Sequence, residues 1–544
     1  MKPSGSDAEM FSYGCREEQP SHSHVTLPLN SRKRYSDIIS PNREREIELE
    51  ELIHSLQKYL QQNCNEIRYH RDALKRLEQR RQRLQALLDQ NSAFFSPIRA
   101  MPTEILSLIF DCFCSNIGFN DRARPLVLAS VCYRWRSIAV SYPSIWTRIN
   151  TARHSPHADE RTRNFVQLYL DRSQDMPIRI HVSDFPLGAP DNTLLSMLAA
   201  HSHRWFRATF SLTTEGYYVL FRALEGQSLT RLRKFNLYGP SLDGVPDSIQ
   251  CNALMMACKL DILTVQQPIE HPENLGLPFG RIKQLNLIDH DNPSSILRCI
   301  AQTMNLRHLR ITATSNCQSR GPLPTPVVAA KVLYLSLRMG NFDGDLFEKA
   351  LLILSTPTLQ HLKVALPLPE ECPISCSPKL NGIFSVKPIS ELIVRSACRL
   401  RSLRVENINI DEDELIQLLE NAPTITTLVL YELYPGVNIP SPCVLTPRRW
   451  ITDKLLRRLT ITPNVPVILP RLKHLHILIS CMIRELDEVC LLRMVKSRTS
   501  LNLPKGERLK KLYFASKKST KSYSWLHKLP KHLYSDFASN IETM

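Results

Sequence analysis

One apolar phrase recurs along most of the chain and limits what the chain can fold into. The phrase is Leu-x-x-Leu-x-Leu, with Ile, Val or Phe in place of leucine at some positions. It occupies residues 232–237, 260–265, 282–287, 306–311, 332–337, 359–364, 400–405, 425–430, 456–461, 472–477 and 509–514. Most neighbouring copies begin 22 to 31 residues apart. A period of this length predicts one supersecondary unit stacked many times, because a single unit cannot bury its own apolar side chains.

Amphipathic helical phrases precede several copies, at residues 294–304, 346–357 and 412–423. Each unit therefore combines a helix, a short turn and a strand. Stacking such units predicts an α/β fold with a parallel sheet and helices outside it. Upstream of the first copy, alternating apolar residues over 178–182 and 208–212 predict two further, degenerate strands.

The phrase resembles the repeat of the leucine-rich repeat family. That resemblance implies a horseshoe-shaped solenoid over residues 165–520, with a cap or tail over 521–544. The asparagine that the family places three residues after the third leucine occurs once, as Asn464. The repeats are therefore irregular. The frame lapses between residues 364 and 400, where an inserted rim loop over 365–395 is expected.

A different pattern precedes the repeats. Residues 1–43 are rich in Ser, Pro, His and charge and predict a disordered arm. Over residues 44–92, apolar positions alternate four and three residues apart, as in the a/d seam of a coiled coil. The seam comprises Leu49, Ile53, Leu56, Leu60, Asn63, Ile67, His70, Leu74, Leu77, Arg81, Leu84 and Leu88. The pattern predicts either a coiled coil or one long helix docked on the next domain.

Residues 101–146 contain two wide apolar helical stripes between the heptads and the repeats. Pro102 and Glu104 suit the first turn of a helix that carries apolar residues through Phe113. A second helix is expected over residues 125–139, and Tyr142-Pro143 ends it. Two short helices cannot bury stripes this wide on each other. An adjoining domain or a partner chain must cover the remainder.

The same residues resemble an F-box. The family pattern is Leu-Pro-x-Glu-Ile-Leu-x-x-Ile-Phe, then Val-Cys-x-x-Trp-Arg-x-Leu-Ala, then a tryptophan. Here Met101 stands in for the first leucine and Ile138 for the later one. With the preceding heptads, the arrangement is similar to the F-box-like proteins of mushroom-forming fungi. The resemblance implies a three-helix domain over 96–150 whose adaptor-binding residues are Ile98, Met101, Pro102, Ile105, Leu106, Ile109, Phe110, Leu128, Val131, Cys132, Trp135, Ile138 and Trp146.

That resemblance also implies a function. F-box proteins with repeat domains are substrate receptors of SCF-type cullin–RING ubiquitin ligases. The F-box binds a Skp-family adaptor, and through it a cullin, while the repeats hold an unknown protein target. Such a receptor is not itself catalytic. It acts by raising the effective concentration of a target lysine near the charged thioester.

Composition is consistent with a reduced protein of the cytoplasm, the nucleus or both. Fifteen cysteines, an odd number, show no repeated spacing. The first residues lack the apolar core of a signal peptide, and no apolar run approaches the roughly 20 residues of a membrane span. The net charge of +17 leaves an alternative open: a scaffold that associates with nucleic acid through a basic surface. Residues 505–534 concentrate nine of those positive side chains against one Glu.

Motifs of enzyme chemistry are missing from the sequence. It contains no phosphate-binding glycine loop, zinc-protease helix or serine elbow. Cys372 and Cys376 have three residues between them, but no second pair completes a metal shell. We therefore expect no catalytic residue, metal site or cofactor.

The residues between the core leucines should line the concave face of the repeats. Cationic candidates for target binding are Lys234, Arg310, Lys363, Arg404, Arg458 and His474. No Asp or Glu occupies the positions directly before and directly after the second core residue of each phrase. This wall predicts an acidic or phosphorylated target, and we expect its charges to serve binding rather than stability. If the wall is merely solvated, the 365–395 loop is the alternative recognition site.

Overall fold

The computed structural model describes residues 43–115, 124–151, 160–183, 192–239, 252–266, 276–288, 293–313, 326–339, 345–365, 384–432, 450–463, 465–479, 487–500, 502–504 and 506–516. The chain divides into two compact units, Met1–Met101 and Pro102–Met544. Almost all of the predicted disordered arm, most of the 365–395 loop and most of the basic 505–534 segment lie outside the described residues.

The first unit is dominated by one long helix, α1 (Arg43–Phe94), of 52 residues. No proline or glycine interrupts it, and a 3-10 turn at Pro97–Arg99 follows it. The prediction of a helix over 44–92 is confirmed. Its apolar seam is exposed to solvent, from 41% at Leu56 to 64% at Leu60. Whether that seam pairs in a coiled coil stays a prediction.

The second unit begins with helices α2 (Thr103–Ser115), α3 (Arg124–Val131) and α4 (Tyr133–Ser141), followed by a 3-10 turn at Pro143–Trp146. The predicted second helix is thus two helices. They separate at Cys132, whose backbone is extended (φ −159°, ψ 170°) and whose Sγ accepts a hydrogen bond from the Trp135 amide at 3.5 Å. Cys132 therefore caps α4 rather than continuing an apolar stripe.

Over the described residues of this unit, a thirteen-stranded parallel sheet forms its body. Its strands, in order across the sheet, are β1 (Arg148–Asn150), β2 (Ile178–Ser183), β3 (Trp205–Ser211), β4 (Lys234–Tyr238), β5 (Ile262–Gln266), β6 (Gln284–Ile288), β7 (His308–Ala313), β9 (Tyr334–Met339), β11 (His361–Ala365), β12 (Ser402–Glu406), β13 (Thr427–Tyr431), β14 (His474–Ile479) and β15 (Lys511–Ser516). Two short strands, β8 (Val327–Val328) and β10 (Leu354–Ser355), pair separately. The prediction of an α/β fold with a parallel sheet is confirmed.

Helices connect many of the strands. They are α5 (Glu160–Arg172), α6 (Asn192–Ala200), α7 (Thr214–Ala223), α8 (Asn252–Met255), α9 (Pro293–Gln302), α10 (Asp345–Ile353), α11 (Lys387–Ser396), α12 (Glu412–Glu420), α13 (Asp453–Leu459) and α14 (Glu488–Thr499). Crossovers between parallel neighbours are almost always right-handed, and for strands that follow one another in order this rule places the connecting helices on one face of the sheet. From α9 onward each long helix packs on the next one in the chain.

The core lies between the sheet and these helices. The fourth position of each repeat phrase pairs with the same position of the next strand, so that these side chains form one continuous row. The row runs through Phe235, Leu263, Leu285, Leu309, Leu335, Leu362, Leu403, Leu428, Leu475 and Leu512, none more than 4% exposed. Each such side chain contributes about 1.5–3 kcal/mol by burial, which makes this row the main reason for the shared frame.

One predicted strand is wrong. Residues 456–461 match the phrase, but α13 ends at Leu459. The Thr452 side chain caps this helix by accepting from the Lys454 amide at 3.0 Å, and both Leu456 and Leu459 are fully buried. A Leu-x-x-Leu spacing also places two side chains on one helix face, so the phrase alone does not separate the two structures.

The predicted domain boundary is also corrected. The sheet begins at β1, inside the 96–150 region assigned to a separate helical domain, and not near residue 165. β1 pairs with β2 through Ile149 and Ile180, both almost completely buried. The sequence offers little sign of this strand, because only one of its three residues is apolar.

Candidate functional site: an apolar helical face and a polar sheet face

Helix α2 has two apolar stripes on different sides. Leu106, Phe110 and Cys114, four residues apart, are buried. The second stripe, on the neighbouring side, is exposed: Ile105 by 44%, Leu108 by 58%, Ile109 by 38% and Phe113 by 41%. Large aliphatic side chains exposed as a contiguous stripe usually mark a surface that another molecule covers.

Helix α3, which contacts α2, also carries exposed apolar residues. Its contributions are Leu126, Val127 and Val131, which are 37%, 53% and 56% exposed. Together with the stripe on α2 they form what we call the apolar helical face: Ile105, Leu108, Ile109, Phe113, Leu126, Val127 and Val131. Sequence reasoning missed Leu108, Phe113, Leu126 and Val127 as members of a binding surface, although all four are large apolar residues at helical spacing.

The predicted adaptor-binding residues divide into two groups. Pro102, Ile105, Ile109, Val131 and Cys132 are exposed, and Ile98, Met101 and Trp135 are partly exposed. Leu106, Phe110, Leu128, Ile138 and Trp146 are buried within the chain. The expectation that all of them lie on one binding surface is therefore wrong, because the second unit uses the buried group for its own core.

Specific contacts explain that burial. The Phe110 and Trp135 rings lie 4.9 Å apart. Trp146 donates from Nε1 to the Ala139 carbonyl at 2.7 Å, and its ring centroid lies 5.1 Å from that of Tyr169 on α5. The terminal tryptophan therefore joins the three helices to the sheet body.

Two polar contacts strengthen the same junction. Ser144 Oγ bonds Asp111 Oδ1 at 2.8 Å, and Arg148 on β1 donates from Nη1 to the Ser115 carbonyl at 2.9 Å. The last turn of α2 is thus bonded directly to the first strand. The helices and the start of the sheet consequently form one packed structure.

The sheet face away from the helices carries two ordered rows of side chains, given by the strand register. The first row is Arg148, Arg179, Arg207, Lys234, Ile262, Gln284, His308, Tyr334, His361, Ser402, Thr427, His474 and Lys511. The second row is Asn150, His181, Thr209, Asn236, Thr264, Asn286, Arg310, Ser336, Lys363, Arg404, Val429, His476 and Tyr513. Among the thirteen described strands, neither row contains Asp or Glu.

Of the predicted target-binding residues, Lys234, Arg310, Lys363, Arg404 and His474 lie in these rows. Arg458 does not. It lies on α13, where it forms an ion pair with Glu420 of α12 at 2.5 Å. Its assignment to the sheet face is wrong for the same reason that the 456–461 strand is wrong.

Four cations occupy consecutive positions at the start of the first row: Arg148, Arg179, Arg207 and Lys234, which we call the cationic row. Burial lowers the pKa of Arg148, Arg207 and Lys234, and the neighbouring cations lower it further. Sequence reasoning found only Lys234, because the first three strands lack the repeat phrase.

A carboxylate neutralises the other predicted cationic region. On β12, Glu406 lies two residues after Arg404, which belongs to the second row. Glu406 is 8% exposed. It contacts Lys363 Nζ at 2.5 Å and Arg404 Nη2 at 2.6 Å. Burial alone would raise the pKa of Glu406, but hydrogen bonds from these two cations hold it below its ordinary value. Lys363 and Arg404 therefore have a partner within the sheet, which the sequence did not predict.

Three histidines of the sheet face, His361, His474 and His476, do not add positive charge at neutral pH. Burial lowers the pKa of His361, His474 and His476, and nearby cations lower it further. His474 Nδ1 instead shares a hydrogen bond with Thr427 Oγ1 at 3.2 Å. His474 is therefore a neutral polar residue rather than the cation that the sequence predicts.

The described residues contain no group of three or more His, Cys, Asp or Glu side chains placed to hold a metal ion. Cys372 and Cys376 lie outside the described residues. Burial raises the pKa of Cys114 to about 11, so this thiol is a poor nucleophile at neutral pH. Within the described part of the chain, no helix combines the length and the apolar composition that a membrane span needs.

Comparison with known proteins gives no family for this chain. No protein-family profile matches the sequence. No curated protein matches it either.

Proposed function

We propose that this chain is the substrate-recognition subunit of an SCF-type cullin–RING ubiquitin ligase. In this proposal, helices α2–α4 act as the F-box and the apolar helical face binds a Skp-family adaptor. The observation that carries it is the exposed stripe through Ile105, Leu108 and Ile109, on helices whose sequence resembles an F-box.

The sheet would carry out the second function of such a receptor, which is binding the target. We propose that strands β2–β15 and their helices are irregular leucine-rich repeats, forming a horseshoe whose polar sheet face holds the protein target. The in-order parallel strands, one per repeat phrase in most cases, support this assignment. A receptor of this kind transfers nothing itself. It holds the target near the ubiquitin-bearing enzyme and so raises the effective concentration of the reacting groups.

Helix α1 has a role in this proposal as a coiled-coil segment. Its seam residues are exposed along the whole helix, and Asn63 and His70 interrupt the apolar seam. Polar seam residues lower coiled-coil stability but specify register and partner number. An exposed apolar seam of this length is more consistent with a helix that pairs with a second helix than with a helix that stays fully solvated.

Co-purification with the adaptor tests the proposal. Full-length protein, co-expressed with a Skp-family adaptor, should retain it through affinity purification. Ile109→Asp and Val131→Asp should each abolish retention, because a carboxylate buried without a partner in an apolar interface is costly. Val394→Asp is the matched control: Val394 is 62% exposed on α11, far along the chain from α2. Retention of the adaptor by both interface variants would contradict the assignment.

A second candidate function is a scaffold that binds nucleic acid, favoured by the net charge of +17. This candidate predicts affinity for DNA or RNA that falls steeply with salt, because phosphate contacts release counterions. It also predicts no retention of the adaptor. Binding to a random oligonucleotide at two salt concentrations, measured beside the adaptor assay, separates the two functions.

A further inference from the structure

The cationic row is an unfavourable arrangement for a sheet standing alone. Neighbouring strands lie about 4.8 Å apart, so the four side chains leave the sheet within about 14 Å. Like charges directly opposite each other on neighbouring strands destabilise a sheet. The fold places a carboxylate beside Lys363 and Arg404 and brings Asp111 near Arg148, but neither row supplies one beside Arg179, Arg207 or Lys234.

Contacts within the protein account for only two of the four cations in the cationic row. Arg148 bonds the Ser115 carbonyl, and the Arg179 guanidinium lies 5.9 Å from the centre of the Phe206 ring. Among the described residues, no carboxylate or hydrogen-bond acceptor is recorded beside the side chains of Arg207 and Lys234, whose recorded charged neighbours are all cations. An anionic ligand would remove the mutual repulsion and supply the missing partners.

A polar group beside the row indicates what kind of ligand fits. Asn236, two residues after Lys234 on the same sheet face, is 5% exposed. Its Nδ2 donates to Thr209 Oγ1 at 2.9 Å, but its Oδ1 has no partner in the described structure. A buried acceptor without a donor is costly, and a backbone N–H is a suitable donor for it. A ligand with both anionic side chains and N–H groups is a polypeptide.

Nucleic acid fits this region less well. Single strands bind to proteins through a basic groove together with aromatic rings on which bases stack. Over β1–β5, neither row contains Phe, Tyr or Trp. The nearby ring of Phe206 already faces the guanidinium groups of Arg179 and Arg233, each 5.9 Å from its centre.

We propose that the cationic row binds an extended polypeptide segment that carries anionic side chains at alternate positions. In an extended chain, residues i and i+2 lie about 6.7 Å apart on the same face. Three such side chains span about 13 Å, which matches the length of the row. This inference deepens the proposed function by giving the target segment a chemistry, and it moves the recognition site from Lys363 and Arg404 to β1–β4.

Peptide binding by the full-length protein tests this proposal. The probe is a fluorescent peptide with Glu at three alternate positions among Gly and Ser, measured by anisotropy at low salt. A peptide with phosphoserine at the same positions distinguishes carboxylate from phosphate as the preferred anion. A third peptide carries the three Glu consecutively, where alternate side chains face opposite ways. We expect the alternating peptides to bind more tightly than the consecutive one.

The variant R207Q/K234Q should weaken binding of the alternating peptide about tenfold. The matched control K473Q/K510Q removes the same charge at the starts of β14 and β15, far from the cationic row, and should leave binding almost unchanged. R207Q/K234Q should also melt at the same temperature as the wild type or higher, since it relieves repulsion. Equal loss in both double variants, a lower melting temperature of R207Q/K234Q, or tighter binding of a random oligonucleotide than of the peptide would overturn the inference.

The experiments distinguish failure of the peptide-binding inference from failure of the proposed ligase function. The peptide assay uses no adaptor, and R207Q/K234Q leaves the apolar helical face intact. Adaptor retention with no peptide binding would refute this inference alone. Peptide binding without adaptor retention would leave the inference standing and refute the ligase assignment.

Discussion

Lys363 on β11 and Glu406 on β12 form an ion pair, with Nζ 2.5 Å from Oε2. Their side chains are 17% and 11% exposed, and Arg404 contacts the other carboxylate oxygen. The carboxylate therefore neutralises a part of the sheet face whose register would otherwise place two cations side by side. These three residues form a structural unit, and their charges cannot be changed singly without cost.

Glu406→Gln should lower the free energy of unfolding at neutral pH by about 1–3 kcal/mol, because it leaves two partly buried cations without their carboxylate. Urea denaturation measures the change. Glu420→Gln is the matched control, since its ion pair with Arg458 is more exposed and should contribute at most about 1 kcal/mol. Equal effects of the two substitutions would show that burial of the Glu406 pair has no stabilising consequence.

The same carboxylate should make stability depend on acid pH. The folded-state pKa of Glu406 lies below its ordinary value of about 4.3. Its contribution is therefore present above that ordinary value and is lost as pH falls through the folded-state pKa. Wild type and Glu406→Gln should differ in stability at pH 7 and converge as the pH falls below about 4. A difference that stays constant across this range would contradict the assignment.

The two stripes of α2 should respond differently to truncation. Leu106→Ala should cost about 2–5 kcal/mol of stability, because Leu106 is fully buried. Ile109→Ala should cost much less, because Ile109 is 38% exposed and leaves no closed cavity. Thermal unfolding followed by circular dichroism compares them. If Ile109→Ala proves as destabilising as Leu106→Ala, Ile109 lies in the chain's core and not on a binding face.

Arg498 on α14 should be essential for the last part of the sheet. It is 0% exposed and donates to the carbonyls of Leu459, Leu469 and Ile468 at 2.6, 2.9 and 2.6 Å. Arg498→Met should cost several kcal/mol by leaving these carbonyls without donors. Arg498→Lys should not restore stability, because an ammonium group lacks the planar fork. Lys496→Met, an exposed change on the same helix, should be nearly neutral.

A peptide of residues 44–92 should be strongly helical by circular dichroism. It should either self-associate in sedimentation experiments or pack on residues 93–150 when joined to them. Leu60→Asp, at the most exposed apolar position of the seam, should weaken that association. A random-coil spectrum from both the peptide and the longer fragment would remove the coiled-coil hypothesis.

The repeat phrase predicted most of the sheet because its physical cause is local. A residue such as Leu335 must face the helices in every unit, so the burial pattern is visible in the sequence. The phrase failed at Leu456 and Leu459, where the same spacing builds a helix that Thr452 caps. It also missed β1, whose single buried apolar residue, Ile149, forms no pattern.

The candidate sites were less predictable, because they depend on which strands become neighbours. The pairing of Glu406 with Lys363 joins residues on opposite sides of an irregular insertion, and only the register shows it. The cationic row likewise requires knowing that Arg179 lies beside Arg207. On α2, helical spacing revealed the apolar residues but not which stripe the chain itself covers.

The order of the strands also determines how this molecule would come apart. Each strand of the large sheet is bonded only to its neighbours in an order that follows the chain from β1 at one edge to β15 at the other, while β8 and β10 pair separately. Unfolding can therefore proceed strand by strand from the β15 edge of the sheet, as in repeat proteins, rather than in one transition. The opposite margin is anchored, because β1 is bonded to the last turn of α2 through Arg148. A molecule frayed at its far end would keep the helices and the first strands as a folded remnant.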